Sequence, residues 1–230
     1  IHPLAFGFRP RTGAPDPAAL LGVLRELVEV SGRSLAGFGL DYVKCFDRIP
    51  IGIVLAAARA QGMAEGVCRA LAGVYCNLRR AFKFNGCLGE AFQATNGILQ
   101  GCPLSVILIN VMTSIWKREL DAQDGGVRVE CQELPPAKRE TEEEEEEAGA
   151  PGPPDVRPKV AHVGAMGYAD DTYVLRRSPQ ELGEPMRRTG AYLGLSGQWV
   201  NAGKSLWFCT GPAGGEEAAG VSLGGESLPH

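Results

Sequence analysis

The residues most suited to chemistry lie at 167–172, in "GYADDT", where Asp170 and Asp171 stand side by side. Apolar residues precede and follow the pair, and no basic residue is its immediate neighbour. Two like charges held together repel, which raises the pKa of one of them. A divalent cation would relieve that cost, and Mg²⁺ binds to one or two carboxylates together with water and substrate phosphate oxygens.

A third carboxylate, Asp41, ends the apolar segment "SLAGFGLDYV" at 34–43. This segment predicts a buried strand, where a lone carboxylate is costly unless it is paired or bound to a metal. If the strand pairs with the segment around Asp170, three carboxylates converge at one edge of a sheet. That arrangement is typical of two-metal phosphoryl transfer. The alternative for Asp170 and Asp171 is a plain turn, because Asp is common in turns and bonds its own backbone.

Periodicity and turn signals predict the elements that must position these residues. Predicted helices span 17–30, 47–62, 64–78, 102–120 and 179–197. Two hairpins are predicted, one around the Asn85–Gly86 dipeptide and one at 160–177 with "ADD" at its turn. A last strand follows the loop that begins at 200. The order of elements favours an α+β fold, an antiparallel sheet with helices on one face.

The charge of the chain is concentrated in one segment. The net charge is −4, but seven glutamates lie between 140 and 147, and without them it becomes +3. We expect 121–160, which is rich in Gly, Pro and Glu, to be a disordered, solvated acidic insert. The mildly basic remainder permits a nucleic-acid partner without requiring one.

Bulk features limit the class of protein. The chain is 230 residues long and 44% hydrophobic, enough for a core, and because it begins with Ile1 we expect a piece of a longer protein. It has no apolar run long enough for a membrane span and no secretion leader. The seven cysteines form no CxxC pair, which favours reduced thiols in an intracellular protein, nuclear or cytoplasmic and not secreted.

Five segments, in order along the chain, resemble motifs of reverse transcriptases. They are "FGFRPRTGAPDPAAL" (6–20), "LDYVKCFDRIP" (40–50), "NGILQGCPLS" (96–105), "GYADD" (167–171) and "GLSGQWVNAGKS" (194–205). The version here looks most like the group II intron and non-LTR retrotransposon enzymes. Val106 stands where many relatives have proline, and the insert is longer than in most of them.

The resemblance implies a right-hand polymerase palm with part of the fingers. Its domains would be a fingers fragment at 1–33, a first part of the palm at 34–120, the insert at 121–160, and a second part of the palm at 161–230. The second part would carry the "YADD" hairpin and end before a thumb. The basic fingers strand that grips the triphosphate in the family would precede Ile1. The resemblance therefore allows for a chain that is inactive by itself although its carboxylates are intact.

The same resemblance assigns site residues. Asp41 and Asp170 match the metal-binding carboxylates, the Tyr42 carbonyl matches a backbone ligand, and Asp171 matches the second aspartate of the motif. Phe46 matches the aromatic gate that would exclude a ribose 2′-OH by steric clash. The remaining assignments are nucleotide-pocket contacts by Gln100, Gly101 and Lys204, and template-phosphate contacts by Arg9 and Arg11.

Structural alternatives stay open for several of these residues. Phe46 could belong to the core, Gln100 could be a loop amide, and Lys204 could be a solvated lysine. Asp47 reads as a helix cap more than as a ligand.

The function implied is RNA-directed DNA polymerisation by a retroelement enzyme, a two-metal nucleotidyl transfer that extends a primer 3′-OH. The cofactor would be Mg²⁺, with Mn²⁺ as the alternative. The partners would be an RNA template, a DNA or RNA primer and dNTPs, with no membrane. An RNA-dependent RNA polymerase and a decayed, non-catalytic palm are the alternatives; the sequence does not set the oligomeric state.

Overall fold

The computed structural model describes residues 2–122, 126–132, 158–212, 222–223 and 226–229. The α-helices are α1 Pro15–Val30, α2 Cys45–Arg48, α3 Ile51–Ala60, α4 Glu65–Cys76, α5 Pro103–Asp121 and α6 Gly183–Ser196, with a 3₁₀ turn at Pro179–Leu182 before α6. The strands are β1 Leu35–Leu40, β2 Arg79–Arg80, β3 Lys83–Phe84, β4 Cys87–Leu88, β5 Phe92–Gln93, β6 Val127–Gln132, β7 Pro158–Val163, β8 Ala165–Tyr168, β9 Asp171–Arg176, β10 Leu206–Thr210, β11 Ser222–Leu223 and β12 Glu226–Ser227.

A four-stranded antiparallel sheet in the order β10-β1-β9-β8 positions the candidate site. Strand β1 is internal and fully buried along its length. Its neighbours come from much later in the chain, with Leu40 opposite Thr172 and Gly39 opposite Leu206. The sheet therefore brings the end of β1 beside the β8–β9 turn, as the sequence predicts.

The two faces of the sheet are covered by different helices. Ala36, Phe38 and Leu40 point into a large core shared with helices α3 to α6. Leu35 alternates to the other face and packs with Leu24 of helix α1. The antiparallel α+β architecture is confirmed, but the expectation of helices on one face is wrong in this detail, because α1 has its own apolar stripe to bury.

The ends of the predicted insert are structured. Strands β6 and β7 pair in register from Val127 opposite Val163 to Gln132 opposite Pro158. The expectation that 121–160 lacks regular structure is therefore wrong at these ends, where a few β-branched residues suffice for a two-stranded ribbon. The glutamate run itself lies outside the described residues.

The 47–62 segment is two helices instead of one. Helix α2 ends at Arg48, and α3 begins after Pro50, whose ring cannot continue the first helix. Asp47 lies inside α2 and makes no capping hydrogen bond there, so its prediction as a helix cap is wrong. The stop at Gly62 is confirmed by its left-handed φ of 88°.

The hairpin predicted around Asn85–Gly86 is confirmed. Strands β3 and β4 flank the dipeptide, whose φ angles of 47° and 81° are those of a tight primed turn. Strands β2 and β5 pair below them, with Arg80 opposite Phe92. Together they form one protruding arm, which we call the 79–93 hairpin.

Candidate active site

Asp41 directly follows β1 and is held through its backbone. Its N–H donates to Ser205 Oγ over 3.0 Å, and its carbonyl accepts from the Asn201 N–H over 2.8 Å. Ser205 is 1% exposed, so the bond that it accepts is made in a water-poor setting. The "NAGKS" segment at 201–205 thus fixes the position of the Asp41 backbone, from which the half-buried side chain extends.

Asp170 and Asp171 sit on the β8–β9 turn. Tyr168 pairs with Asp171 across a two-residue turn in which Ala169 adopts a left-handed φ of 53°. Gly167 lies so close to the opposite strand that a Cβ would overlap the Asp171 carbonyl oxygen. Because Leu40 faces Thr172, the next residues outward, Asp41 and Asp171, are neighbours at the same end of the sheet. The structure therefore brings the predicted carboxylates together.

The electrostatics agree with this placement. The pKa of Asp171 is raised from its ordinary value by desolvation first, then by the negative charge of Asp170, then by that of Asp41. The three carboxylates are thus within electrostatic reach, and their mutual repulsion is the cost that a cation would remove.

The donor set limits how an ion could be held. In the part of the chain that the structure describes, no group of three or more His, Cys, Asp or Glu side chains could hold a metal ion. A site here fits one or two carboxylates completed by backbone and substrate oxygens, which is the coordination that Mg²⁺ commonly adopts.

Tyr42 has the backbone direction that such a site needs. It forms an isolated antiparallel bridge with Val200, flanked by bonds from Asn201 N–H to the Asp41 carbonyl and from Val43 N–H to the Trp199 carbonyl. In this pattern the bridged residue does not exchange bonds with its partner, so the Tyr42 N–H and C=O point away from Val200. That direction is the side of β1 on which β9 lies.

Two buried groups beneath the carboxylates remain uncharged. Burial raises the pKa of the Tyr42 phenol well above its ordinary value; the Thr172 hydroxyl opposes this, and the negative charge of Asp170 adds to it. Burial also raises the pKa of the Cys45 thiol to about 12, and Asp170 contributes. Neither group adds charge at neutral pH, so the aspartates dominate the local field.

The predicted gate and nucleotide-pocket segments are tied to each other. Phe46 is half-buried against the large core, and its carbonyl accepts from the Ile98 N–H over 2.7 Å. Gln100 Nε2 donates to Asp47 Oδ2 over 3.3 Å, and Asp47 Oδ1 lies 3.6 Å from an Arg80 nitrogen. Asp47 therefore links the Phe46 segment, the Gln100 segment and the base of the 79–93 hairpin.

Gly101 and Lys204 are both exposed to solvent. Gly101 has φ 81°, and a Cβ there would meet nothing within 4 Å. Glycine is thus required by the backbone conformation and leaves open space beside it. The Lys204 side chain is exposed, and the backbone N–H of Lys204 donates to the Asn201 carbonyl over 3.1 Å.

The two predicted template arginines differ in their surroundings. The Arg9 guanidinium donates to the Pro3 carbonyl over 2.6 Å, with longer bonds to His2 and Ala5. Arg9 thus closes the N-terminal turn. Arg11 is exposed, with a left-handed φ of 62°.

The N-terminal segment supports the β8–β9 turn, which the sequence analysis did not foresee. Phe6 N–H donates to the Gly167 carbonyl over 2.9 Å, and a Cβ on Gly7 would lie 2.5 Å from the Ala169 nitrogen. Buried Asn110 donates to the Gly7 carbonyl over 2.7 Å. The glycines in "FGF" and "GYADD" were the available signal, since close backbone approach favours glycine.

Comparison with known proteins identifies the family. The family model described as reverse transcriptase (RNA-dependent DNA polymerase) matches residues 1–222. The chain belongs to the reverse transcriptase family. It is also 28% identical over 119 residues to the Retrovirus-related Pol polyprotein from type-2 retrotransposable element R2DM of Drosophila melanogaster, a match that covers 52% of this chain and 11% of that protein.

A solved structure supports the fold. The telomerase of Candida tropicalis, in complex with a fragment of telomeric RNA, superposes with a TM-score of 0.53 at 11% identity. The superposition covers 92% of this chain and 31% of the telomerase chain. At this identity the likeness concerns the fold alone, and it confirms the polymerase-type α+β architecture. The chain thus spans under a third of the length of each relative.

Two further findings bear on the class of protein. Among the described residues, no helix is both long enough and apolar enough to span a membrane. None of the six cysteine side chains that the structure describes forms a disulfide; four of them are buried or half-buried and two, Cys76 and Cys87, are exposed.

Proposed function

We propose that this reverse transcriptase domain catalyses RNA-directed DNA synthesis by metal-dependent nucleotidyl transfer. The observation that carries the proposal is the convergence of Asp41, Asp170 and Asp171 at one end of the sheet, in a chain of this family. The primer 3′-OH attacks the α-phosphate of a dNTP, and pyrophosphate leaves. The domain's contribution is to position the reactants and to compensate developing charge.

Asp41, Asp170, Asp171 and the Tyr42 carbonyl would hold Mg²⁺, or Mn²⁺ in its place, with one or two of the carboxylates on each ion and substrate oxygens completing the coordination. The raised pKa of Asp171 and the direction of the Tyr42 backbone support this set. When bound, such ions lower the pKa of the attacking hydroxyl and neutralise charge on the triphosphate. Ser205 and Asn201 hold the Asp41 backbone in place for this role.

The residues around the carboxylates would select and orient the nucleotide. The Phe46 ring, set by the core on one side, would exclude a ribose 2′-OH. Gly101 leaves space for close approach of a ligand to the backbone, and Gln100 lies beside it. Exposed Lys204 would reach the triphosphate and donate a proton to the leaving pyrophosphate. Arg11 would contact template phosphates, and Arg9 would do so only if it releases its carbonyl partners.

The substrates proposed are an RNA template, a DNA or RNA primer and dNTPs, and the location is intracellular. The likeness to a retrotransposable-element polyprotein supports a retroelement origin. The two rival functions are RNA synthesis from NTPs and a decayed palm that folds without polymerising. Phe46 argues against the first, since an RNA polymerase needs to accept the 2′-OH.

Primer extension on an RNA template tests the proposal, using the full-length natural protein with Mg²⁺ or Mn²⁺. The control is Asp170→Ala combined with Asp171→Ala. We expect dNTP incorporation that depends on the metal and disappears in the control. A Phe46→Ala variant should gain NTP incorporation relative to dNTPs, because it removes the clash with the 2′-OH.

Each alternative predicts a different result. Incorporation of NTPs in preference to dNTPs by the unaltered protein would establish the RNA polymerase. Absence of synthesis from a folded protein that still binds primer–template would establish the decayed palm. Synthesis that survives in the double variant would remove the carboxylates from the mechanism.

A further inference from the structure

The 79–93 hairpin exposes an unusual amount of aromatic surface. Phe82 is 76% exposed, Phe84 is 78% exposed and Phe92 is 42% exposed. The rings of Phe82 and Phe92 stack with centroids 5.3 Å apart. Ten consecutive residues from 81 to 90 are exposed, so nothing described in the chain covers these rings. Rings left in water at this density mark a binding surface.

The rings share one face of the hairpin. Side chains alternate along a strand, so Phe82 and Phe84 point to the same side and Lys83 to the other. Phe92 joins them through its stack with Phe82 and lies opposite Arg80 in the register. We call Phe82, Phe84 and Phe92 the aromatic ladder; it runs from the base of the hairpin towards its tip.

The charge of the hairpin selects the kind of partner. Arg79, Arg80 and Lys83 are its cations and Glu90 is its only carboxylate, whereas the chain as a whole is acidic. Arg79 is tied to the Ala91 carbonyl over 3.1 Å, and Lys83 is exposed. Aromatic rings on a basic support are the usual platform for single-stranded nucleic acid, in which bases stack on rings and cations track phosphates.

The base of the hairpin is joined to the candidate active site. Arg80 lies 3.6 Å from Asp47, and Asp47 accepts the hydrogen bond from Gln100. A strand bound along the ladder would therefore lead towards the nucleotide pocket. We propose that the aromatic ladder of the 79–93 hairpin binds a single-stranded stretch of the RNA template by base stacking. The inference rests on the proposed function for the identity of the strand, and only for that.

Binding of a labelled single-stranded RNA oligonucleotide to the 230-residue chain tests the inference, by fluorescence anisotropy. Phe82→Ala and Phe84→Ala should each weaken binding about tenfold, within the range of about 5- to 150-fold for one lost stacking contact. Phe84→Tyr should bind like the unaltered chain, because a tyrosine ring still stacks. Leu88→Ala is the matched control: Leu88 is 73% exposed on the same hairpin but has no ring, so binding should be unchanged.

A salt titration separates the roles of rings and charge. Lys83 lies on the face opposite the rings, so Lys83→Gln should change the slope of log affinity against log salt concentration by less than about 0.7, the value for one phosphate contact on a single strand. The two phenylalanine variants should keep the original slope. All of these residues are exposed, and circular dichroism before each titration verifies that the variants are folded.

Three results would overturn the inference. One is RNA affinity unchanged in Phe82→Ala and Phe84→Ala. Another is Leu88→Ala weakening binding as much as they do, which would indicate an apolar surface without stacking. The third is a change in oligomeric state without a change in RNA binding, which would make the hairpin a protein-docking surface.

Failure of the inference is distinct from failure of the proposed function. Asp170→Asn should lose synthesis yet bind RNA normally. Ladder-dependent RNA binding by a protein that makes no DNA would disprove the function and keep the ladder. DNA synthesis by a protein whose RNA binding does not depend on the ladder would support the function and disprove the ladder.

Discussion

The β8–β9 turn and the tip of the 79–93 hairpin are both two-residue turns with left-handed backbone, but they obtain that conformation differently. At the tip, Asn85 and Gly86 are residues that adopt positive φ readily, and a Cβ on Gly86 would meet no atom within 4 Å. At the carboxylate turn, Ala169 adopts φ 53° although alanine disfavours it. There the backbone of Gly7 and the adjoining strand β1 surround the turn.

The difference shows that one turn is specified locally and the other by the rest of the fold. The hairpin tip owes its conformation to its own two residues, and it is exposed to a partner. The carboxylate turn stores local strain that tertiary packing must outweigh, as is common where side chains must be aimed for function.

Loss of a carboxylate should stop the chemistry, whereas loss of a ladder ring should only weaken binding. We expect Asp170→Asn to lower kcat by at least about 100-fold, since it removes charge compensation made in the transition state. Phe84→Ala should raise the RNA concentration needed for half-maximal rate about tenfold and leave kcat unchanged. Steady-state primer extension measures both. Equal loss of kcat in the two variants would contradict the contrast.

Adding one methyl group should distinguish the packed turn from the open one. Gly167→Ala places a Cβ against the Asp171 carbonyl, and we expect it to lower the free energy of unfolding by about 3 kcal/mol. In Gly86→Ala the new Cβ meets no atom within 4 Å. Only the φ of 81° then disfavours alanine, and the free energy of unfolding should fall by about 1 kcal/mol. Urea denaturation measures both values. A cost at Gly86 as large as that at Gly167 would mean that the hairpin tip is also packed.

Removing the support of Asp41 should cost stability even though no carboxylate changes. Ser205→Ala leaves the Asp41 N–H without its buried acceptor, so the free energy of unfolding should fall by about 1–3 kcal/mol. The rate of synthesis should fall with it. Ser205→Thr retains a hydroxyl and should recover most of the stability, which urea denaturation would measure. If the alanine and threonine variants have the same free energy of unfolding, the hydrogen bond does not explain the loss of stability.

The smallest expected effect concerns pH. The folded-state pKa of Asp171 is raised, so its ionisation reduces stability above that pKa, and the reduction disappears as the pH falls below the unfolded value of about 3.9. In metal-free buffer, Asp171→Asn should melt at a higher temperature than the unaltered chain at pH 8. Near pH 3 the two should melt together. Mg²⁺ at pH 8 should raise the melting temperature of the unaltered chain more than that of the variant.

Local signals in the sequence predicted much of this fold. The Asn85–Gly86 hairpin, the strand ending at Asp41 and the turn holding Asp170 and Asp171 all follow from short patterns that the structure confirms. The order of the five motifs along the chain predicted the reverse transcriptase family, and the match of the family model to residues 1–222 confirms it. The catalytic and metal-binding roles of Asp41, Tyr42, Asp170 and Asp171 stay predictions. So do the contact roles of Phe46, Gln100, Gly101, Lys204, Arg9 and Arg11.

The features that were missed depend on contacts distant in the sequence. Gly7 by its type indicates a close backbone approach but not that Ala169 is the partner, and nothing near Asp47 indicates its bonds to Gln100 and Arg80. The helix predicted at 47–62 ignored how strongly Pro50 would divide it. The β6–β7 pair was hidden because its two strands lie at opposite ends of an acidic, glycine-rich segment. Local propensity cannot supply such pairings, because tertiary contacts decide them.

The position of β1 in the sheet has a consequence for how the chain is made. This strand is buried between β9 and β10, yet both partners are synthesised long after it. A growing chain must therefore carry an apolar strand with two unpaired edges until β9 has been made, and with one unpaired edge until residue 210 has left the ribosome. Such late pairing slows folding and exposes the strand to aggregation. We expect nascent chains that stop before β10 to require chaperones, and the Asp41 end of the sheet to be the last part of the domain to form.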